Sequence, residues 1–346
     1  MPHDHQPLKH LAPGWYATVM GLTGLALAWH RAEPLMGPMA PGVALVIGGL
    51  AALVFAVLAV ATLLRAQRHP EAWAEDRRHP VRHTFIATLP IAAILLGTVA
   101  VALFGPSTPA RLLWGAGAIG QLWVTLWVLG RWWRPGGAPG GKPAPGGGGG
   151  AGGGLAWPGV TPALLIPIVG NVLVPLAGVP LGHPEWAAAQ FGIGLLFWPV
   201  VLVLIAVRIG LQGLWPERLL PVSFILIAPP AVVGLSALQL SAPPLVAWLC
   251  WGMALFTLGW VAQLLPRIRN LPFGVPHWGM SFPLAALTAL TLRLATPGGL
   301  LAVLGPVLLA ATSLLILVLV LSTVRGLRDG SLLQPEPVAM ITPAQP

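Results

Sequence analysis

The stretch His277–Arg293, HWGMSFPLAALTALTLR, decides how the rest of the chain is read. It is apolar enough to lie in a bilayer, yet Pro283 sits in its first half, directly after the aromatic Phe282 and ahead of small residues. A proline inside a helix removes one backbone hydrogen bond and clashes with the carbonyl four residues back, which predicts a kink. In lipid such a break is tolerated where the freed groups face protein or a watery cavity. Two readings follow. One is a pore wall carrying a bulky ring as plug; the other is a tightly packed interior helix whose phenylalanine is core.

Composition settles the solvent. Of 346 residues, 56 % are hydrophobic and 8 % charged, whereas soluble domains carry roughly 25 % charged residues. With a mean hydropathy of +0.82, this excludes a soluble globular protein and makes the lipid bilayer the chain's surroundings. The single cysteine, Cys250, lies in an apolar run and allows no intrachain disulfide. The N-terminal MPHDHQPLKHLAPGW lacks the order of a signal peptide, so the first apolar run is read as a retained span. The net charge of +9 comes from residues scattered over short loops between apolar runs. They read as topology signals, and no nucleic-acid partner is expected.

A span needs about 20 predominantly apolar residues. Ten windows qualify, at roughly 13–30, 42–64, 83–104, 110–130, 162–181, 186–207, 219–239, 244–265, 277–295 and 300–324. Short, nearly uncharged turns alternate with longer basic connections, so the expected fold is all-α and membrane-integral, with ten helices as five hairpins. The domains expected are a tail over 1–12, spans one to four over 13–134, a Gly/Pro-rich linker over 135–161, spans five to ten over 162–324, and a tail over 325–346. Fifteen of the eighteen Lys and Arg fall on the side of the tails and longer loops; only Arg31, Arg111 and Arg293 fall opposite. The positive-inside rule then places both termini in the cytoplasm of a cell with this protein in its inner (plasma) membrane.

Breaks favour the odd-numbered spans. Pro90 falls in the third, Pro167 and Pro175 in the fifth, Pro229 and Pro230 in the seventh and Pro283 in the ninth, while the first carries Gly21 and Gly24. The even spans are mostly plain Leu/Val/Ala helices suited to lipid. Five broken helices inside and five smooth ones outside would surround a central axis, an internal repetition common in transport folds. The kink residues, with Asn171 between Pro167 and Pro175, are therefore candidate pore-lining positions.

Chemistry-bearing residues are few. No Asp or Glu lies well inside a span, which argues against a cation channel or a carboxylate proton relay. Backbone N–H dipoles at the breaks and basic rims instead favour anions, weakly enough to let them leave. Asn171 has two readings: a contact on the permeation path, or an interhelical hydrogen bond worth about 0.6 kcal/mol. His69, His79 and His83 lack the further ligands of a metal site. No nucleophile-base arrangement, HExxH or phosphate loop is present, so neither enzyme activity nor a cofactor is expected. The 16 tryptophans fall mostly near span ends, as in an interfacial belt.

Several stretches together resemble a known family. They are APGWYATVMGLTGLALAW (12–29), HPVRHTFIATLP (79–90), TPALLIPIVGNVLVPLAGVPLG (161–182), LPVSFILIAPPAVVGL (220–235) and WGMSFPLAAL (278–287). The chain is similar to the tellurite-resistance/dicarboxylate transporter family, which includes TehA-like proteins and the plant guard-cell slow anion channels. The resemblance implies ten spans in five hairpins, a pore through each subunit of a homotrimer, and a phenylalanine occluding it, matched here by Phe282. The family label covers anion channels, dicarboxylate permeases and sulfite exporters, so substrate does not carry over, and small anions are expected as permeants from the residues alone. The expected function is an anion channel or channel-like transporter, with a coupled exporter or permease for C4-dicarboxylate, sulfite or tellurite as the alternative. An intramembrane enzyme is the remote alternative, and lacks a polar catalytic cluster. The long glycine linker departs from the family pattern.

Overall fold

The structure, a computed structural model, describes residues 7–133, 155 and 157–334. The expected linker over 135–161 and the tail beyond 334 therefore lie largely outside the described residues. Among the described residues all regular structure is helical. The principal helices are α1 (Ala17–Arg31), α2 (Met39–Arg68), α3 (Thr88–Phe104), α4 (Thr108–Gly130) and α5 (Ile166–Val172). They continue with α6 (Pro184–Gln212), α7 (Ala228–Gln239), α8 (Pro244–Ala262), α9 (Ser281–Leu294) and α10 (Leu300–Arg328). By length and composition seven helical segments suffice to cross a membrane: Met39–Arg68, Arg82–Phe104, Thr108–Trp133, Pro184–Gln212, Glu217–Gln239, Pro244–Ala262 and Leu300–Arg328.

Every odd-numbered helix is entered through a 3-10 segment. Pro13–Tyr16 leads into α1, Arg82–Ala87 into α3, Pro162–Leu165 into α5, Glu217–Ile227 into α7 and Val275–Met280 into α9. This construction explains how short α-helices acquire reach. The 14 residues of α9 rise roughly 21 Å at about 1.5 Å each, short of a hydrocarbon core about 30 Å thick. The six residues before it add roughly 12 Å at about 2.0 Å each.

The prolines sit differently from the expectation of kinks within continuous helices. Pro167 is the second residue of α5, Pro229 and Pro230 the second and third of α7, and Pro90 and Pro283 the third of α3 and α9. In a first α turn the missing N–H has little to donate to and the fixed φ suits the helix. The prolines thus open the α-helical segments, just past each 3-10 stretch. Pro175 likewise opens the four-residue turn Pro175–Gly178, separated from α5 by Leu173 and Val174. Gly21 and Gly24 belong to the unbroken α1.

Each odd helix packs along the helix that follows it. The odd helices also touch in sequence, α1 with α3, α3 with α5, α5 with α7 and α7 with α9, and α9 returns to α1. Glycines allow the close approaches. A Cβ at Gly117 of α4 would lie 2.8 Å from both Ile94 N and Pro90 O, and one at Gly234 of α7 would lie 2.9 Å from Cys250 Cβ. Between α3 and α4 the chain turns at Gly105, whose φ of 78° favours glycine, and Ser107 caps α4 by accepting from Ala110 N at 3.4 Å.

The tryptophans divide. Trp133 is 89 % exposed, as an interfacial residue would be, but Trp15, Trp114, Trp215 and Trp278 are buried. Trp114 Nε1 donates to Val174 O at 3.0 Å and Trp278 Nε1 to Thr323 Oγ1 at 2.9 Å. These two therefore tie helices together inside the protein.

Candidate functional site

Four of the five 3-10 segments, those leading into α1, α3, α7 and α9, line a cavity of about 710 Å³. Pro13 to Trp15, Arg82 and Phe85, Glu217 to Leu219, and Val275 to Gly279 supply its walls. Thr88 Oγ1 donates to Pro13 O at 2.8 Å and to Phe85 O at 2.7 Å, joining two of these segments. Further along the helices the lining stops. Met20 is the last contributor from α1, Ile91 from α3, Ala228 from α7 and Pro283 from α9, and Leu173 ends the contribution of the α5 region. Phe282 is at this limit and only 7 % exposed.

Space for the Phe282 ring comes from α1. A Cβ at Gly24 would stand 3.1 Å from Phe282 Cδ2 and 3.0 Å from Ala285 Cβ. Gly21 meets Ser281 and Trp278 in the same way. The two glycines lie outside the cavity lining and inside the α1–α9 contact. Ser281 Oγ donates to Trp278 O at 2.7 Å, bridging the 3-10 to α transition next to Phe282.

The other sequence candidates fall elsewhere. Pro90 faces the glycines of α4, and Pro175, Pro229 and Pro230 are buried without lining the cavity. Pro167 and Asn171 belong to a buried polar clamp. Asn171 Nδ2 donates to Thr125 Oγ1 at 2.8 Å and to Pro167 O at 3.1 Å, and Gln190 Nε2 donates to Asn171 Oδ1 at 3.0 Å. Pro167 O also accepts from Gln121 Nε2 at 2.7 Å and from Thr125 Oγ1 at 2.6 Å. Where α5 ends, Val172 O accepts from Ser236 Oγ at 2.5 Å. Freed carbonyls in lipid need such donors, and α4 and α7 supply them.

The cavity wall is rich in basic side chains. Arg82, Arg208, Arg218, His10, His79 and His277 all contribute, with Glu217 as a carboxylate. Glu217 Oε1 lies 3.0 Å from Arg267 Nη2. Arg82 is held by Asp76 at 3.1 Å and Glu75 at 3.3 Å; Asp76, fully buried, also pairs with buried Arg65 at 2.7 Å. Arg65 Nε in turn donates to Lys9 O at 3.1 Å, fastening the N-terminal segment beside the cavity. Burial holds the His10 imidazole below its usual pKa, and Lys9 and Arg65 add to that shift. His10 therefore adds little positive charge to the wall at neutral pH. The histidines make ordinary local bonds: His83 Nδ1 lies 2.9 Å from His79 O, and His79 Nδ1 accepts from Val81 N and Arg82 N at 3.1 Å. Sequence reasoning treated Arg82 and Arg208 as topology signals only. The run of Pro-flanked motifs before each odd helix was the available sign of a shared vestibule.

A helical membrane body whose broken inner ends gather arginines around a cavity is the build of a membrane transport protein for anions. The chain belongs to the voltage-dependent anion channel family, whose model matches residues 10–324. It is 25 % identical over 281 residues to the tellurite resistance protein TehA homolog of Haemophilus influenzae, covering 80 % of this chain and 79 % of that one. It is 24 % identical over 283 residues to the S-type anion channel SLAH2 of Arabidopsis thaliana, covering 80 % of this chain and 51 % of that relative. An uncharacterized transporter of Methanocaldococcus jannaschii, MJ0762, is 22 % identical over 308 residues, 82 % of this chain and 84 % of the other. The family is one of channels and transporters, not of enzymes.

Proposed function

We propose that this protein conducts small anions across the inner membrane through a path lined by α1, α3, α5, α7 and α9 and occluded by Phe282. The observation that carries this reading is the end of the arginine-walled cavity at the Phe282 ring. The closed sequence of contacts among the odd helices and the pairing of each with its successor support ten spans in five hairpins around one axis. The charge split supports cytoplasmic termini, and with them a cavity on the cytoplasmic side, and the family supports small anions as permeants; a homotrimer is part of this proposal on the sequence resemblance alone. A ring at the constriction blocks by sterics and keeps the passage dry, because ions shed their hydration only at high cost.

Phe282→Ala tests the proposal. Basal anion current in planar bilayers should rise several-fold or more, with expression and oligomer size unchanged. A phenylalanine that is merely core would instead cost about 3–5 kcal/mol on truncation, by analogy with soluble interiors. A variant that melts much earlier in detergent and conducts no better would sink the gate. Reversal potentials in anion gradients, measured on the same bilayers, separate free conduction from coupled export.

A further inference from the structure

Arg208, near the end of α6, lines the cavity yet is only 5 % exposed. Its Nη1 donates to Val160 O at 2.6 Å and to Pro158 O at 3.3 Å, so two backbone carbonyls fix the plane of the guanidinium. Its Nε–H is buried with no acceptor. Among the described residues no carboxylate pairs with it. Glu217 of the same cavity wall is engaged by Arg267, and buried Asp76 by Arg65 and Arg82.

A buried charge without a counterion is costly, and breaking such a pair is far worse than removing both partners. The unfilled edge of this guanidinium has a definite shape. Nε–H and the Nη2 on the same side present two parallel donors, a fork that matches the two coplanar oxygens of a carboxylate-type anion. A halide sphere can use that edge less well. We infer that Arg208 anchors an anion-binding site in the cavity wall that prefers planar oxyanions of the carboxylate type over halides. The site rests on the reading that anions enter this cavity, and it names the class the cavity gathers before the Phe282 constriction. Because the carbonyls of the 158–160 segment already hold the guanidinium, little ordering is needed on binding. The arginines at 82 and 218 in the same wall raise the local anion concentration.

The test uses the full chain in nanodiscs, with sodium formate and sodium chloride as probes, read by calorimetry and by anion-induced change in melting temperature. The wild type should bind formate about tenfold more tightly than chloride, the bidentate bond accounting for the difference. Arg208→Gln should lose formate binding, and Arg208→Lys, which keeps the charge without the fork, should bind the two anions alike. Arg111→Gln, at an exposed arginine outside the cavity lining, should leave formate binding unchanged. Melting in the absence of either anion reports any structural cost of removing the bonds to Val160 and Pro158. Formate binding in Arg208→Gln at wild-type strength, or a formate preference retained in Arg208→Lys, would overturn the site. Binding is read here without current. Loss of conduction with intact formate binding would therefore count against permeation alone, and a leaky Phe282→Ala channel that binds no formate against the site alone.

Discussion

The odd and even helices of this membrane protein are built by opposite means. In an apolar 18-residue stretch of Arg82–Phe104 and of Glu217–Gln239, 78 % and 89 % of residues are buried in protein, against 22 % in such a stretch of Met39–Arg68, Pro184–Gln212 and Pro244–Ala262. The even helices are long and continuous, and present residues such as Val46, Leu63 and Phe256 to the surroundings. The odd ones begin as 3-10 turns, all but α1 carry proline at the start of the α segment, and they are covered by neighbours. In lipid, apolarity drives no helix to the inside, because lipid tails are as apolar as leucine. Small residues and polar bonds decide it, and glycines of the even helices that face inward show this. Gly194 of α6 is buried against α5, whereas Gly192 of the same helix is exposed with nothing nearby.

The sharpest way to break that comparison is to load the inward glycine. A Cβ at Gly194 would stand 2.5 Å from Val172 Cγ1 and 3.0 Å from Ile168 O. Gly194→Leu should cost about 1–3 kcal/mol by overpacking, seen as a lower melting temperature in detergent. A melting curve like the wild type's would mean that α5 and α6 do not pack as described. Asn171→Ala should act more gently, since Gln190 keeps its bond to Ala118 O at 2.9 Å and Thr125 its bond to Pro167 O. A loss of about 0.6–1.7 kcal/mol is the range for such interhelical bonds in lipid. Measured in the leaky Phe282→Ala background, anion permeability ratios should not move; a shift would place Asn171 on the path. Gly192→Leu should be the quietest, within about 0.5 kcal/mol. A strong effect there would reveal a partner surface on this face of α6.

Much of the fold was legible in the residues. The apolar excess, the alternation of broken and smooth segments and the pairing of neighbouring helices all have local signals: hydropathy, proline and turn length. Phe282 was legible as a candidate because an aromatic beside a proline in an apolar run is unusual chemistry. The nature of the breaks was less so. Proline marks where a regular α-helix cannot continue, but both a kink and a switch from 3-10 to α satisfy that constraint, and the neighbours of each segment select between them. Asn171 was legible as a polar residue in lipid, with its partners hidden, because Thr125 and Gln190 lie on other helices.

The sequence by itself determined the solvent, the family, the scarcity of acids within apolar runs and the basic bias of the longer connections, since each is read along the chain and no folding can change it. Only the tertiary structure decided which side chains share a space. Gly24 makes room for Phe282 although nearly the whole chain separates them, and Arg208 reaches the cavity with its Nε–H unpaired while Asp76 holds Arg65 and Arg82. Facing is a relation between distant residues, fixed by how closely backbones approach and where freed polar groups find donors. No window along the chain contains it.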